Sequence, residues 1–239
     1  MTIRLGMLTP SSNTVLEPLT TRILSGLPEV SVHFSRLRVT QIGLDAEALG
    51  QFDESPMLAA ADLLADAKVD AITWNGTSAG WLGHACDSRL CQSIATATGI
   101  RATTSVLALF DTLRRRGENR IGLVTPYTED VQQAILQNFA REGVSVVAER
   151  HSGLRDNFSF AQVNAGDLGG MIAAVAADRP QAIAVLCTNL AAAPLVEDLE
   201  ARLEVAIYDS VATAVYGALA ATGVDPSRVK GFGCLFANG

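Results

Sequence analysis

The sequence predicts an α/β fold of two similar halves, each a mainly parallel sheet flanked by helices, with a shared cleft between them. Short apolar runs alternate with amphipathic segments along the chain, the rhythm of β-α-β units. The run Arg4-Leu5-Gly6-Met7-Leu8-Thr9-Pro10 returns as Arg120-Ile121-Gly122-Leu123-Val124-Thr125-Pro126, identical or conservatively matched at all seven positions. The length of 239 residues suits one large α/β domain or two small ones. With 49% hydrophobic and 18% charged residues, the chain is globular rather than disordered.

Strands are expected at 4–9, 30–34, 71–74, 120–125, 144–148, 182–186 and 205–208. Between the second and third, residues 55–67 place Met57, Ala61, Leu64 and Ala65 on one helical stripe behind the capping candidates Asp53 and Ser55. Cys86 and Cys91 fall in a further helix, roughly 140° apart around its axis, and are expected to be packing residues. The repeat divides the chain into an N-terminal half, 1–112, and a C-terminal half, 113–239.

Composition excludes several classes of function. The net charge is −7 and the only basic run is Arg114-Arg115-Arg116, which reads as a solvated helix end, so a nucleic-acid partner is not expected. No apolar run reaches the roughly 18 residues needed to cross a bilayer, and Met1-Thr2-Ile3-Arg4 leads into a strand without a signal-peptide core; a cytoplasmic protein with no membrane partner is expected. The four cysteines form no C-x-x-C pair, and no G-x-G-x-x-G, Walker-type or H-E-x-x-H pattern occurs. Only Lys68 and Lys230 could anchor a Schiff base; one lies in a turn and one near the C-terminus. His33, His84 and His151 are scattered, with His84 at a helix start. Neither cofactor nor metal is expected.

Ligands of parallel sheets sit beyond the carboxyl ends of the strands. There the chain places Asn75-Gly76-Thr77-Ser78 in the first half and Cys187-Thr188-Asn189 in the second. Gly76 and Cys187 are therefore counterparts, expected on opposite walls of one cleft closed by residues 10–14 and 126–128. A cysteine at a strand end often packs simply as a small hydrophobe, and polar turn residues often only cap helices. Here Asn13, Thr77, Ser78, Tyr127, Thr188 and Asn189 gather at the same strand ends as Cys187.

Pro10-Ser11-Ser12-Asn13-Thr14, Gly76-Thr77-Ser78, Thr125-Pro126-Tyr127 and Cys187-Thr188-Asn189 resemble the aspartate/glutamate racemase superfamily over nearly the whole chain. The resemblance implies two pseudo-symmetric α/β halves around an anionic substrate, with one cysteine from each. Cys187 matches the second cysteine. Gly76 stands where racemases and maleate isomerases have the first, and Gly-Thr-Ser there is similar to arylmalonate decarboxylase, as are Tyr127 and the terminal Gly231-Phe232-Gly233-Cys234-Leu235-Phe236. Pro-Ser-Ser-Asn-Thr resembles the maleate isomerases instead, and carries over Asn13 and Asn157 as carboxylate-binding candidates.

The expected activity is cofactor-free decarboxylation of a small substituted malonate. Thr77, Ser78, Tyr127 and backbone N–H groups near Cys187-Thr188 hold the enediolate, Gly76 and Thr188 also line the substrate, and Cys187 protonates the enediolate. That role needs a protonated thiol; a helix N-terminus lowers a cysteine pKa, an apolar wall raises it, and both remain open at this level. The alternative is a maleate isomerase-like or racemase-like isomerase of a small dicarboxylate or amino acid, and a third reading is a dicarboxylate-binding protein without turnover. A thiol at position 76 is expected to face Cys187 and to confer racemase chemistry. The sequence leaves a homo-oligomer open.

Overall fold

The structure, a computed structural model, describes residues 2–237. The first half comprises β1 (Ile3–Pro10), α1 (Leu16–Ile23), β2 (Val30–Leu37), α2 (Ala46–Gly50), α3 (Glu54–Asp66), β3 (Ala71–Trp74), α4 (Ala79–Leu82), α5 (His84–Thr98), β4 (Ala102–Thr104) and α6 (Ser105–Arg116). The second comprises β5 (Arg120–Thr125), α7 (Glu129–Arg141), β6 (Ser145–His151), α8 (Asn157–Phe160), α9 (Ala165–Ala176), β7 (Ala182–Val185), α10 (Ala193–Leu203), β8 (Ala206–Asp209), α11 (Ser210–Thr222) and α12 (Cys234–Ala237).

Each half forms its own four-stranded sheet, ordered β2-β1-β3-β4 and β6-β5-β7-β8, with every pairing parallel. The orders coincide when β5 is laid on β1, so the sequence repeat is a repeat of topology. β3 and β7 run through the sheet interiors and are buried at every position, which is why Ala-Ile-Thr-Trp and Ala-Ile-Ala-Val read as continuous rather than alternating apolar runs. Glycine in β5 has a packing cause: a Cβ on Gly122 would lie 2.1 Å from Val175 Cγ1, so only glycine lets α9 close on the strand.

The registers fix which residues correspond between the halves. Leu8 lies beside Trp74, and its repeat partner Val124 lies beside Val185; counting two residues on makes Gly76 and Cys187 equivalent. Trp74 pairs with Thr104 and Val185 with Asp209, which makes Thr104 and Asp209 equivalent as well. They are the N-cap residues of α6 and α11, each accepting backbone N–H bonds from its helix.

The halves share a packed interface. α6 links the sheets and spans the 112/113 junction. α11 is apolar around much of its circumference and packs on α6, β3 and β4, with Thr213 Oγ1 donating to the Ser105 carbonyl at 3.1 Å. On the other side α4 packs on α7, and Asn138 donates to the Gly80 carbonyl at 3.0 Å.

Two expectations need correction. The strand β4 was not foreseen, because three residues, Ala-Thr-Thr, carry no period. The Arg114–Arg116 run is not simply solvated: Arg114 pairs with Asp111 on the surface, but Arg115 donates to the Tyr216 hydroxyl (2.8 Å) and Arg116 to the Cys234 carbonyl (2.7 Å), fastening α11 and the C-terminus. Among the described residues, no helix is long and apolar enough to cross a membrane.

Candidate active site

The carboxyl ends of both sheets converge on a small cavity between the halves. Pro10, Gly76, Thr77, Tyr127, Asn157, Cys187 and Thr188 line it, joined by Val39, Ile42, Phe52, Trp74 and Trp81. Its volume is about 20 Å³, room for little more than one water.

Cys187 forms the second-half wall. It is 2% exposed, and its sulfur accepts a hydrogen bond from the Asn189 N–H at 3.3 Å. Burial pushes the thiol up to about 12, outweighing the backbone donors of Asn189 and Leu190 and the Tyr127 hydroxyl, all of which favour the thiolate. Of the two opposed influences on the thiol, the apolar wall wins. Cys187 is a protonated acid at neutral pH.

The first-half wall is built differently. The Trp74 indole lies over Gly76, and a Cβ at position 76 would stand 2.1 Å from Trp74 Cζ2 and 2.3 Å from Cε2. The indole is itself locked, fully buried with Nε1 donating to Ser78 Oγ at 3.3 Å. The expectation that a thiol at position 76 would face Cys187 is corrected accordingly: with Trp74 in place, no side chain fits there.

A hydrogen-bonded frame joins the walls. Thr77 Oγ1 and the Tyr127 hydroxyl share a bond of 2.6 Å across the halves, and burial holds the phenol well above the usual tyrosine range. Thr188 Oγ1 donates to the Asn75 carbonyl (3.0 Å) and accepts from the Asn13 amide (3.2 Å). Asn13 thus stands one bond behind the cavity, with Oδ1 capping the start of α1 through the N–H groups of Val15 and Leu16. Asn157 lines the cavity and donates to Ser12 Oγ at 2.7 Å. Ser78 is adjacent to the cavity lining but gives its hydroxyl oxygen to Trp74.

The roof consists of the segments that follow β2 and β6. They meet in an antiparallel bridge between Gln41 and Asp156, with Ile42 N–H donating to the Arg155 carbonyl and Asn157 N–H to the Thr40 carbonyl, both at 2.9 Å. An exposed Arg155–Asp45 ion pair closes it from outside, where Asp45 also caps α2.

Behind each wall lies one buried carboxyl. Asp209 caps α11, and burial raises it to about 7. In the first half the equivalent cap, Thr104, donates to Asp87, which burial likewise raises to about 7. Among the described residues, no cluster of His, Cys, Asp or Glu could hold a metal ion.

Trp74, Trp81, Phe52, Val39 and Ile42 were not anticipated. For the roof, the signal was the repeat: Asn157 follows β6, and the segment after β2 is its counterpart. For Trp74 no signal existed, since its effect depends on the side-chain path over Gly76.

Comparison with known proteins agrees with this architecture. The maleate isomerase of Pseudomonas putida is 26% identical over 244 residues, covering 97% of this chain and 96% of that protein. The arylmalonate decarboxylase of Bordetella bronchiseptica is 25% identical over 235 residues, covering 97% and 95%. Crystal structures superpose with a TM-score of 0.91 for the Pseudomonas putida maleate isomerase Iso (24% identity, 100% of this chain and 99% of that one) and 0.80 for arylmalonate decarboxylase (22%, 99% and 100%). The family model described as arylmalonate decarboxylase matches residues 28–236, so the chain belongs to the arylmalonate decarboxylase family, whose relatives include both decarboxylases and maleate isomerases.

Proposed function

We propose that the protein is a cofactor-free decarboxylase of a small substituted malonate. The observation that carries this reading is the inequality of the walls: one buried, protonated thiol faces a wall that Trp74 and Gly76 leave without any acid or base. Decarboxylation needs one proton delivered to one face. Racemisation needs a second group opposite.

In the proposed reaction the bond from the α-carbon to one carboxylate breaks, and its electron pair passes into the other carboxylate to give an enediolate as CO2 leaves. Thr77, Tyr127 and the backbone N–H groups near Thr188 hold the enediolate oxygens. Cys187 gives its proton to the α-carbon, and the thiolate regains one from water. None of the cavity-lining residues is charged, so the departing carboxylate sits against Val39, Ile42 or Phe52 with no cation to stabilise it. Its conversion to neutral CO2 relieves that penalty.

The second reading is a maleate isomerase, favoured by Asn157 in the cavity lining, by Asn13 one hydrogen bond behind it, and by the Pseudomonas putida relative. A solved Nocardia farcinica maleate cis-trans isomerase variant carries a covalently bound succinylcysteine intermediate. Such addition here would require Cys187 as a thiolate, which its burial opposes. Incubation with arylmalonates, alkylmalonates, maleate and aspartate separates the readings. CO2 from a malonate supports the first; fumarate from maleate without CO2 release overturns it in favour of the second; binding without turnover leaves a carboxylate-binding protein.

A further inference from the structure

We propose that the indole N–H of Trp81 donates a hydrogen bond to a carboxylate oxygen of the bound substrate, making Trp81 a substrate-binding residue. The inference rests on the preceding reading only in taking the ligand to be a carboxylate. Trp81 lines the cavity, is 6% exposed, and its Nε1 has no acceptor among the described residues. Buried donors are rarely left unpaired, because an N–H removed from water without a partner forfeits its hydration. The other cavity indole makes the contrast, since Trp74 Nε1 is satisfied by Ser78.

The ring is held in place. Phe52 meets it edge-on at 5.5 Å and Tyr127 at 5.2 Å, so the N–H direction is set before a ligand arrives. Other groups around the cavity already have partners within the protein: Thr77 and Tyr127 share one hydrogen bond and Tyr127 also reaches Cys187, Thr188 donates to the Asn75 carbonyl, and Asn157 donates to Ser12. With no lysine, arginine or histidine in the lining, an anionic oxygen must be met by neutral donors, and the Trp81 N–H requires no existing bond to be broken.

The test combines spectroscopy and kinetics with methylmalonate, phenylmalonate and maleate as probes. In the unaltered protein, the Trp81 indole N–H resonance, assigned by its loss in Trp81→Phe, is expected to move on saturation with at least one probe while that of Trp74 stays in place. Trp81→Phe keeps the ring contacts and removes the donor; it is expected to weaken the same probe by roughly ten- to a hundredfold, read as KM for CO2 release or as Kd. CO2 release with unchanged KM in Trp81→Phe, or saturation that leaves the Trp81 resonance still, overturns the Trp81 role and leaves the decarboxylase reading standing. A moving resonance and a weakened Kd without CO2 release uphold Trp81 and overturn the decarboxylase. No binding by any probe overturns both. If Trp81→Phe does not fold, the resonance, assigned instead by the loss of the other peak in Trp74→Phe, decides alone.

Discussion

The two walls occupy equivalent positions of one repeated topology, yet of five aligned residues they share only one. After β7 the chain reads Val185-Leu186-Cys187-Thr188-Asn189, and after β3 it reads Trp74-Asn75-Gly76-Thr77-Ser78. The threonine is common, and in both halves it bonds a group from the opposite half: Thr77 the Tyr127 hydroxyl, Thr188 the Asn75 carbonyl. The serines that open α6 and α11 each donate to a carbonyl at these strand ends, Ser105 to Gly76 at 2.6 Å and Ser210 to Val185 at 2.8 Å. What differs is a thiol on one wall and an indole laid over glycine on the other. A common frame thus carries unlike groups on its two walls.

The comparison is broken most severely by removing the thiol. Cys187→Ala is expected to lower CO2 release by a thousandfold or more, on the order of losing an essential acid, while Cys86→Ala stays within a few fold. The unaltered rate should also be flat from about pH 6 to about pH 9, because an acid raised to about 12 stays protonated throughout. A rate rising about tenfold per pH unit would indicate a nucleophilic thiolate instead.

Making the walls alike is the next test. Gly76→Cys alone is expected to destabilise the fold by about 3 kcal/mol or more, read as a lowered urea midpoint, because its Cβ has no space beside Trp74. Trp74→Val with Gly76→Cys copies the second wall onto the first. It should recover part of the loss and gain α-proton exchange in deuterated water with a single enantiomer of a 2-arylpropionate. A double variant that folds, binds the acid and exchanges nothing would refute the placing of positions 76 and 187 on opposite faces of the ligand.

Tyr127→Phe and Thr77→Val probe the shared frame and should each lower the turnover number by roughly ten- to a thousandfold, as loss of a preorganised donor does. A rise in KM alone would mean that they bind substrate and transition state equally.

The buried carboxyls give a smaller, pH-dependent effect. Both ionise at higher pH in the folded chain than the ordinary 3.8, so the folded state holds extra protons between 3.8 and about 7. Their contribution to stability is complete below that interval and lost as pH rises through 7. Asp87→Asn should therefore shrink the loss of stability between about pH 4.5 and about pH 7.5 by about 1 to 3 kcal/mol, measured as urea unfolding at each pH. The least effect is expected from Asp45→Asn at the roof. Its ion pair with Arg155 is about half exposed, and KM should change by no more than a few fold.

Much of this was legible in the residues because the signals were local. The recurrence of Arg4–Pro10 at position 120 specified two like halves, and the turns after β3, β5 and β7 brought Gly76, Thr77, Tyr127, Cys187 and Thr188 to one place. Asn157 also reaches the cavity, whereas Asn13 supports it from behind and Ser78 turns its hydroxyl to an indole. What escaped was non-local. β4 is too short for a period, the roof is irregular backbone held by a bridge between halves, and the state of the thiol depends on burial that no nearby residue announces.

The contact between Trp74 and Gly76 also constrains the order of change. Any side chain at position 76 collides while the indole remains, whereas Trp74 can shrink first and leave only a void behind it. Two facing cysteines are therefore expected to be better tolerated when position 74 shrinks before position 76 gains a side chain than in the reverse order. The two positions are coupled in one direction: the cost of a side chain at 76 depends on the size of residue 74, whereas a smaller residue at 74 meets no collision with glycine at 76.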